Sequence, residues 1–341
     1  MISIFIPVYN GDHYIAKTLD SVLAQTYADW EALCVDDSST DGSYALLQKY
    51  ASSDPRIRLF QKPNGGSVPP SWEFIIPHIK GDYVLYMSQD DLLEPDTLEK
   101  LIKRQQETGA DAVLPHEIHY LSSLPDSKQH HLCGINGDIT PIITGREAFR
   151  LMIDYSISGR ALWPIHIVRN IGMPSDTYNA DELAQRLWAL NCEMVAFSDA
   201  IFIYNRENPN AITHGISAKT YDDTLTNALL YNTAKKAFPL DSGWLSSMAN
   251  TYFKHLYLRM IQYLQHRRQY THKDRKTIRM RFCNAYRILH KETKPSSRLQ
   301  RIAAINFPLM QSTVRYKQLQ FLCQHVTINQ ELDCYSYQKH E

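Results

Sequence analysis

The first hundred residues alternate short apolar runs with amphipathic stretches. The stretch "ISIFIPVYN" is a short apolar strand ended by Pro7 and Asn10. "DHYIAKTLDSVLAQ" places Ile15, Leu19, Val22 and Leu23 at helical spacing. "WEALCVDD" reads as a second strand and "TDGSYALLQKYAS" as a second helix with a Thr/Asp start. "IRLFQK" is a third strand, "NGG" a turn, and "SWEFIIPHIKG" a helical piece. "DYVLYMSQDD" is a fourth strand, and "PDTLEKLIKRQQETG" a helix that Gly109 stops. "ADAVLPHEIHYL" is a fifth strand. Strands separated by helices predict an α/β fold with a doubly wound, mostly parallel sheet. Ligands of such sheets bind beyond the carboxyl ends of the strands. Three of those ends are polar here: Tyr9-Asn10, Asp36-Asp37 and Asp90-Asp91. A single acid in a surface loop needs no explanation. Two Asp-Asp pairs, each ending an apolar strand, ask for something that offsets their repulsion.

Residues 115 to 160 are polar and read as loop. His116, His119, His130 and His131 fall there at irregular spacing, so ordinary exposed histidines are expected rather than a metal cluster. "TGREAFRLMID" resumes a helix with Thr144 as cap, and "NADELAQRLWALN" is an amphipathic helix leading into the strand-like "EMVAFSDAIFIYN". From about residue 216 the pattern is all-helical, with Leu245, Met248, Tyr252, Leu256, Met260 and Leu264 on the 3.6-residue period. The expected organisation is a catalytic unit over 1–215, its halves about 1–115 and 140–215, and a basic helical appendage over 216–341.

Composition adds three constraints. The six cysteines are scattered without C-x-x-C or zinc spacing, which suits free thiols in a reducing compartment. "MISIFIPVYNG" lacks a basic region and a cleavage site. No run approaches the roughly 18 apolar residues of a membrane span. A cytoplasmic chain is therefore expected. Its formal charge is zero, yet residues 250–301 hold fourteen Lys/Arg against Asp274 and Glu292, leaving the remainder acidic. That split suggests a face for an anionic membrane surface rather than nucleic acid, with peripheral attachment at the inner face of the membrane. Solvated helical faces are the plainer explanation.

Adjacent Asp side chains at a strand end suit a hard divalent cation, Mn2+ or Mg2+. The chain has no G-x-x-x-x-G-K-[ST] loop and no G-x-G-x-x-G, so a glycine cradle for phosphates is not expected. A metal on Asp90 and Asp91 is the natural substitute. Asp37 could instead accept the imide N–H of uracil, with Tyr9 stacked on the base.

The segment "IFIPVYNGDHYIAKTLDSVLAQTYADWEALCVDDSSTDGS", followed by "NGG" and "GDYVLYMSQDDLLEPDTLEKL", resembles the family 2 inverting glycosyltransferases of GT-A fold. The likeness is strong over about 1–115 and weak over 140–215. It implies a GT-A sheet, a nucleotide-diphosphate sugar (most simply a UDP-sugar), a divalent metal, and a glycan or lipid-linked acceptor in cell-surface polysaccharide biosynthesis. Pro7, Tyr9 and Asp37 then resemble base and ribose contacts, and Asn10, Asn64, Gly65 and Asp90 complete the donor side. Asp91, with Asp90, resembles the metal-binding motif. The family often reads D-x-D-D, whereas this chain has Ser88 at the first position. Many relatives also carry Arg-Asn after the glycine-rich turn, where Ser71-Trp72 stands here.

Inversion by direct displacement needs a general base for the acceptor hydroxyl. The family supplies an acid at a helix start resembling "E-D-x-x-L-x-x-R-L". Strict alignment puts Asn179-Ala180 on the usual pair, but the acidic pair nearby is Asp181-Glu182. Asp181 is the expected base, with Glu182 next; either acid would also complement the helix dipole. Trp163 lines the acceptor pocket or belongs to the core. Arg206 and His214, with Tyr204, fall where a loop could meet the diphosphate. The rival readings are a nucleotidyltransferase, which would normally show a glycine-rich first loop with Arg and Lys, and a non-catalytic sugar-nucleotide-binding scaffold.

Overall fold

The computed structural model describes residues 1–174, 177–209 and 216–290. It divides into two units, Met1–Asp176 with Ala180–Ala211, and Thr177–Asn179 with Ile212–Glu341.

In the first unit β1 (Ile2–Val8) lies between β2 (Trp30–Asp36) and β4 (Tyr83–Tyr86), with β3 (Ile57–Gln61) beyond β2. These four strands are parallel, and β9 (Trp163–Pro164) adds antiparallel to β4. Between them run α1 (Ile15–Leu23), α2 (Ser43–Ser53) and α3 (Val68–Ile75). The period-two alternation of β1 sorts its side chains between two cores. Ile2, Ile4, Ile6 and Val8 join Ile15, Leu19 and Val22 on one side, while Phe5 meets Trp72, Trp163 and Trp188 on the other. Burial on both faces is why the strand reads as a nearly continuous apolar run.

The single parallel sheet expected from the alternation is only part of the unit. A second, mixed sheet runs β5-β10-β6-β7, from β5 (Leu92–Leu93), β10 (Met194–Asn205), β6 (Ala112–Tyr120) and β7 (His130–Leu132), with β8 (Ile142–Thr144) against β10. β10 pairs parallel with β6 and antiparallel with β5 and β8. The remaining helices are α4 (Thr97–Thr108), α5 (Gly145–Ile153), α6 (Ile165–Ile171) and α7 (Ala180–Leu190). Gly109 ends α4 at φ 66°, a left-handed value that glycine takes without strain. Thr144 and Glu147 form a capping box at α5.

Residues 115–160 therefore correct the expectation of a polar loop: they finish β6 and form β7, β8 and α5. His119 is not an exposed histidine but a buried one, hydrogen-bonded through Nε2 to Glu117 at 2.8 Å. Glu117 and His119 are two apart on β6, so they share a face, and pairing makes their burial tolerable.

The second unit packs α8 (Asp223–Ala237), α9 (Ser242–His266) and α10 (His272–Leu289) around Tyr221, Tyr263, Tyr270 and Phe282. The basic stretch is not all surface. Arg259 pairs with Asp223 at 2.7 Å and Arg281 with Asp222 at 3.1 Å, both inside the unit. The remainder of that stretch, from 291 on, lies outside the described residues. No helix among the described residues is long and apolar enough to cross a membrane.

Candidate active site

The two Asp-Asp pairs are resolved by sending neighbours to different partners. Asp36 accepts from the Ser39 backbone N–H at 3.3 Å and from Gln61 Nε2 at 3.1 Å. Asp37 accepts from Lys62 Nζ and, through both oxygens, from the Gly65 N–H at 2.9 and 3.1 Å. A side chain at position 65 has no room, since a Cβ there would meet Pro70 at 2.5 Å and Lys62 Nζ at 2.9 Å. Asn64 accepts from the Gly66 N–H at 2.8 Å, closing the turn.

The loops after three strands are tied together. The Tyr9 N–H donates to Gln89 Oε1 at 2.8 Å, the Asn10 N–H to Ser39 Oγ at 3.0 Å, and the Thr40 N–H to Asn10 Oδ1 at 2.8 Å. Asn10 and Ser38 adopt left-handed φ values of 50° and 60°, uncommon for non-glycine residues. Pro7 is half-buried in β1 opposite Val35, and Tyr9 is 48% exposed at the rim.

Beyond β4, Asp90 accepts from Asn208 Nδ2 at 2.7 Å. Asp91 is fully buried and accepts from the backbone N–H groups of Ser88 at 2.9 Å and Asn205 at 3.4 Å. Burial raises both carboxyls. Asp91 is pushed up to about 7, mainly by burial, with Arg160 opposing and Asp90 adding repulsion. Arg160 Nη2 stands 3.9 Å from Asp91, and its guanidinium lies 4.4 Å above the ring of Tyr204.

Arg160 is anchored from behind by Glu117, which accepts from its Nη1 at 3.0 Å and also from Ser158 Oγ and His119. Burial disfavours the Glu117 anion, but Arg160, His119 and Ser158 overcome this and hold it down at about 2. Since the folded value lies below the usual 4.5, this stability is present above pH 4.5 and is lost as pH falls toward 2. Glu117→Gln is expected to lower folding stability at neutral pH by about 3–5 kcal/mol, because it strands a buried charge. Thermal unfolding at a series of pH values checks this, and the variant should show a flatter acid limb.

On α7, Asp181 and Glu182 take different situations. Glu182 accepts from the Tyr155 hydroxyl at 2.9 Å and faces Arg186 at 4.0 Å. Asp181 is pushed up to about 6 by burial and by the Glu182 charge, against Arg160. The buried Tyr86 hydroxyl is raised by burial, and Asp181, Arg160 and Asp91 all act on it electrostatically. Asp91 and Asp181 thus share one neighbourhood around Arg160 and Tyr86. Asp37 stands at the same carboxyl edge, two strands away.

Trp163 is 1% exposed, with its ring 5.8 Å from that of Trp188; of the two roles expected, it takes the core one. Arg206 follows β10 directly and its N–H donates to the Tyr120 carbonyl at 2.9 Å. His214 lies outside the described residues. Lys62, Tyr86, Glu117, Arg160 and Asn208 were not legible as site residues. Lys62 carried one usable signal, a lone cation in "QKPNGG" ahead of the turn. Glu117 and His119 carried another, two polar groups at strand spacing. Arg160, between Gly159 and Ala161, carried none.

Among the described residues no three His, Cys, Asp or Glu side chains gather to hold a metal. Asp90 and Asp91 do fit a smaller demand. A hard divalent ion is often bound by one or two carboxylates together with substrate phosphates. Two desolvated, mutually repelling carboxyls are the group such an ion relieves.

A parallel sheet with acids gathered at its carboxyl edge, backed by a mixed sheet, is the GT-A arrangement of glycosyltransferases. The likeness extends to TarS of S. aureus, residues 1–349, solved with UDP and with UDP-GlcNAc. The UDP-GlcNAc form matches with a TM-score of 0.64 at 16% identity, over 95% of this chain and 91% of that one. Residues 3–161 match the model of glycosyl transferase family 2. Chondroitin synthase of Pasteurella multocida (strain Pm70) is 39% identical over 103 residues, 30% of this chain and 11% of the synthase. Glycosyltransferase GlyG of Streptococcus pneumoniae is 31% identical over 120 residues, 35% of this chain and 40% of that protein. The matched segment thus spans well under half the length of these relatives.

Proposed function

We propose that this chain is an inverting glycosyltransferase that moves a sugar from a UDP-sugar to a hydroxyl of a glycan or lipid-linked acceptor in cell-surface polysaccharide biosynthesis. The observation that carries the reading is the Arg160 guanidinium 3.9 Å from Asp91, with Asp181 electrostatically coupled to the same Arg160 and to Tyr86, in the unit whose sheet edge also bears Asp37 and Tyr9. Tyr9 stacks on the base and Asp37 accepts its N–H. Asp181 takes the proton of the acceptor hydroxyl as the oxygen attacks the anomeric carbon. The bond from that carbon to the diphosphate oxygen breaks on the opposite face, so configuration inverts. Glu182, already held by Tyr155, supports the helix start rather than the proton transfer. Asp90 and Asp91 would hold Mn2+ or Mg2+, which offsets charge on the departing diphosphate. Arg206 contacts the phosphates in this reading. A thermal-shift screen of nucleotide sugars with Mn2+, followed by an assay for released UDP, tests the reading. A protein that binds UDP and turns over no donor would instead be a scaffold.

The helical unit bears a basic stripe of its own. On α10, Lys273, Lys276 and Arg287 fall on one stripe with Met280, which is 51% exposed. We assign this stripe to an anionic lipid face on the cytoplasmic side of a membrane. Co-sedimentation with phosphatidylglycerol vesicles, but not with phosphatidylcholine vesicles, is the expected result. It should weaken as salt rises and with Lys273→Glu/Lys276→Glu.

A further inference from the structure

Asp37 does not stand alone at the base subsite. Its backbone N–H donates to the Val8 carbonyl at 2.8 Å, which sets it beside the exposed ring of Tyr9. Its carboxylate is paired with the ammonium of Lys62, and both side chains are only 9% exposed. Lys62 is strapped in place at every level. Its N–H donates to the Asp36 carbonyl at 3.1 Å, its carbonyl accepts from Ser38 Oγ at 2.8 Å, and its ammonium donates to the Pro63 carbonyl at 2.8 Å. An ammonium has three N–H donors. Asp37 and Pro63 take two, and among the described residues the third has no acceptor. A nine-tenths buried ammonium with an unspent donor is costly unless something completes it.

We propose that Lys62 is the residue that makes this site selective for a base with an imide edge, by donating to a ring carbonyl next to the N–H that Asp37 accepts. The inference rests on the reading of Asp37 as the base contact and deepens it. Lys62 donates to Asp37 Oδ1, and the Gly65 N–H is shared between Oδ1 at 2.9 Å and Oδ2 at 3.1 Å, so Oδ2, which the ammonium does not engage, keeps acceptor capacity for a ligand. The subsite thus presents one acceptor beside one donor. Uracil offers the complement, a single N–H flanked by carbonyls. Cytosine and adenine present a ring-nitrogen acceptor where the carboxylate needs a donor. Guanine offers the same N–H beside a carbonyl at N1 and O6 but adds a 2-amino group where uracil has a second carbonyl, and that donor would be left without a partner beside a carboxylate already held by Lys62 and Gly65.

Calorimetric titration of the full chain with UDP, CDP, GDP, 2-thio-UDP and 4-thio-UDP in the presence of Mn2+ tests this. UDP is expected to bind about tenfold or more tightly than CDP or GDP, and one of the two thio analogues to lose about tenfold, since sulfur is a poor acceptor. Lys62→Met should bring UDP down to the level of that analogue. If the variant fails to fold, the comparison of thio analogues on the wild-type chain decides alone. UDP and both thio analogues binding alike, or GDP binding as well as UDP, would overturn the role of Lys62. Should Asp37→Asn also bind UDP like the wild type, the reading of Asp37 fails as well. A strong loss in Asp37→Asn with no thio effect removes Lys62 only.

Discussion

Asp91→Asn is expected to abolish sugar transfer, by about a thousandfold or more, while leaving the fold intact. The substitution keeps the size of the side chain and removes its charge. Asp91 is buried, and its carboxyl is raised to about 7, first by burial and then by Asp90. A carboxyl whose folded value lies above its unfolded one contributes stability that is greatest at low pH and lost as pH rises. Removing its charge therefore relieves the fold at neutral pH. The melting temperature should hold or rise even as turnover disappears. Steady-state transfer together with thermal unfolding measures both, and a variant that loses its fold along with its activity would contradict the argument. Titration with Mn2+ adds a second readout: metal-enhanced binding of UDP should vanish with Asp91→Asn.

The second large effect is at Asp181. Asp181→Asn is expected to lower the transfer rate by about 10²–10⁴, the range a positioned general base supplies. Donor affinity should stay unchanged. The wild-type rate should fall as pH drops below about 6, because the base must be deprotonated and burial with the Glu182 charge raises it to that value. Arg160 opposes the rise. The acid limb should follow one proton and be missing from the residual activity of Asp181→Asn. Glu182→Gln should retain it, since the Glu182 carboxylate is engaged by Tyr155. A Glu182→Gln variant as inactive as Asp181→Asn would move the base to Glu182.

What the sequence made legible was local. Each strand of the parallel sheet lies within a stretch whose mainly apolar pattern marks it as strand, and α1, α2 and α4 fall where spacing and stop signals put them. The Asp-Asp pairs stood out because adjacent like charges at strand ends are rare without a reason. The parts that stayed hidden depend on partners far apart in the chain. Glu117 is 43 residues from Arg160, and Asn208 is 118 from Asp90. Polarity in 115–160 read as solvent exposure because hydropathy does not register that Glu117, His119 and Ser158 satisfy one another. The same blindness counted Arg259 and Arg281 as surface charge, when Asp223 and Asp222 hold them inside the helical unit.

The hydrogen bonds that join Tyr9 to Gln89 and Asn10 to Ser39 and Thr40 bear on how this domain could change over time. Three separate segments are braced into one rim before any ligand arrives, so a donor pays little conformational entropy on entry. The same bracing means that grafting a single segment from another transferase would break its ties to the other two. New donor preference is therefore more readily reached through point changes inside the frame, at positions such as Lys62, than through exchange of whole loops.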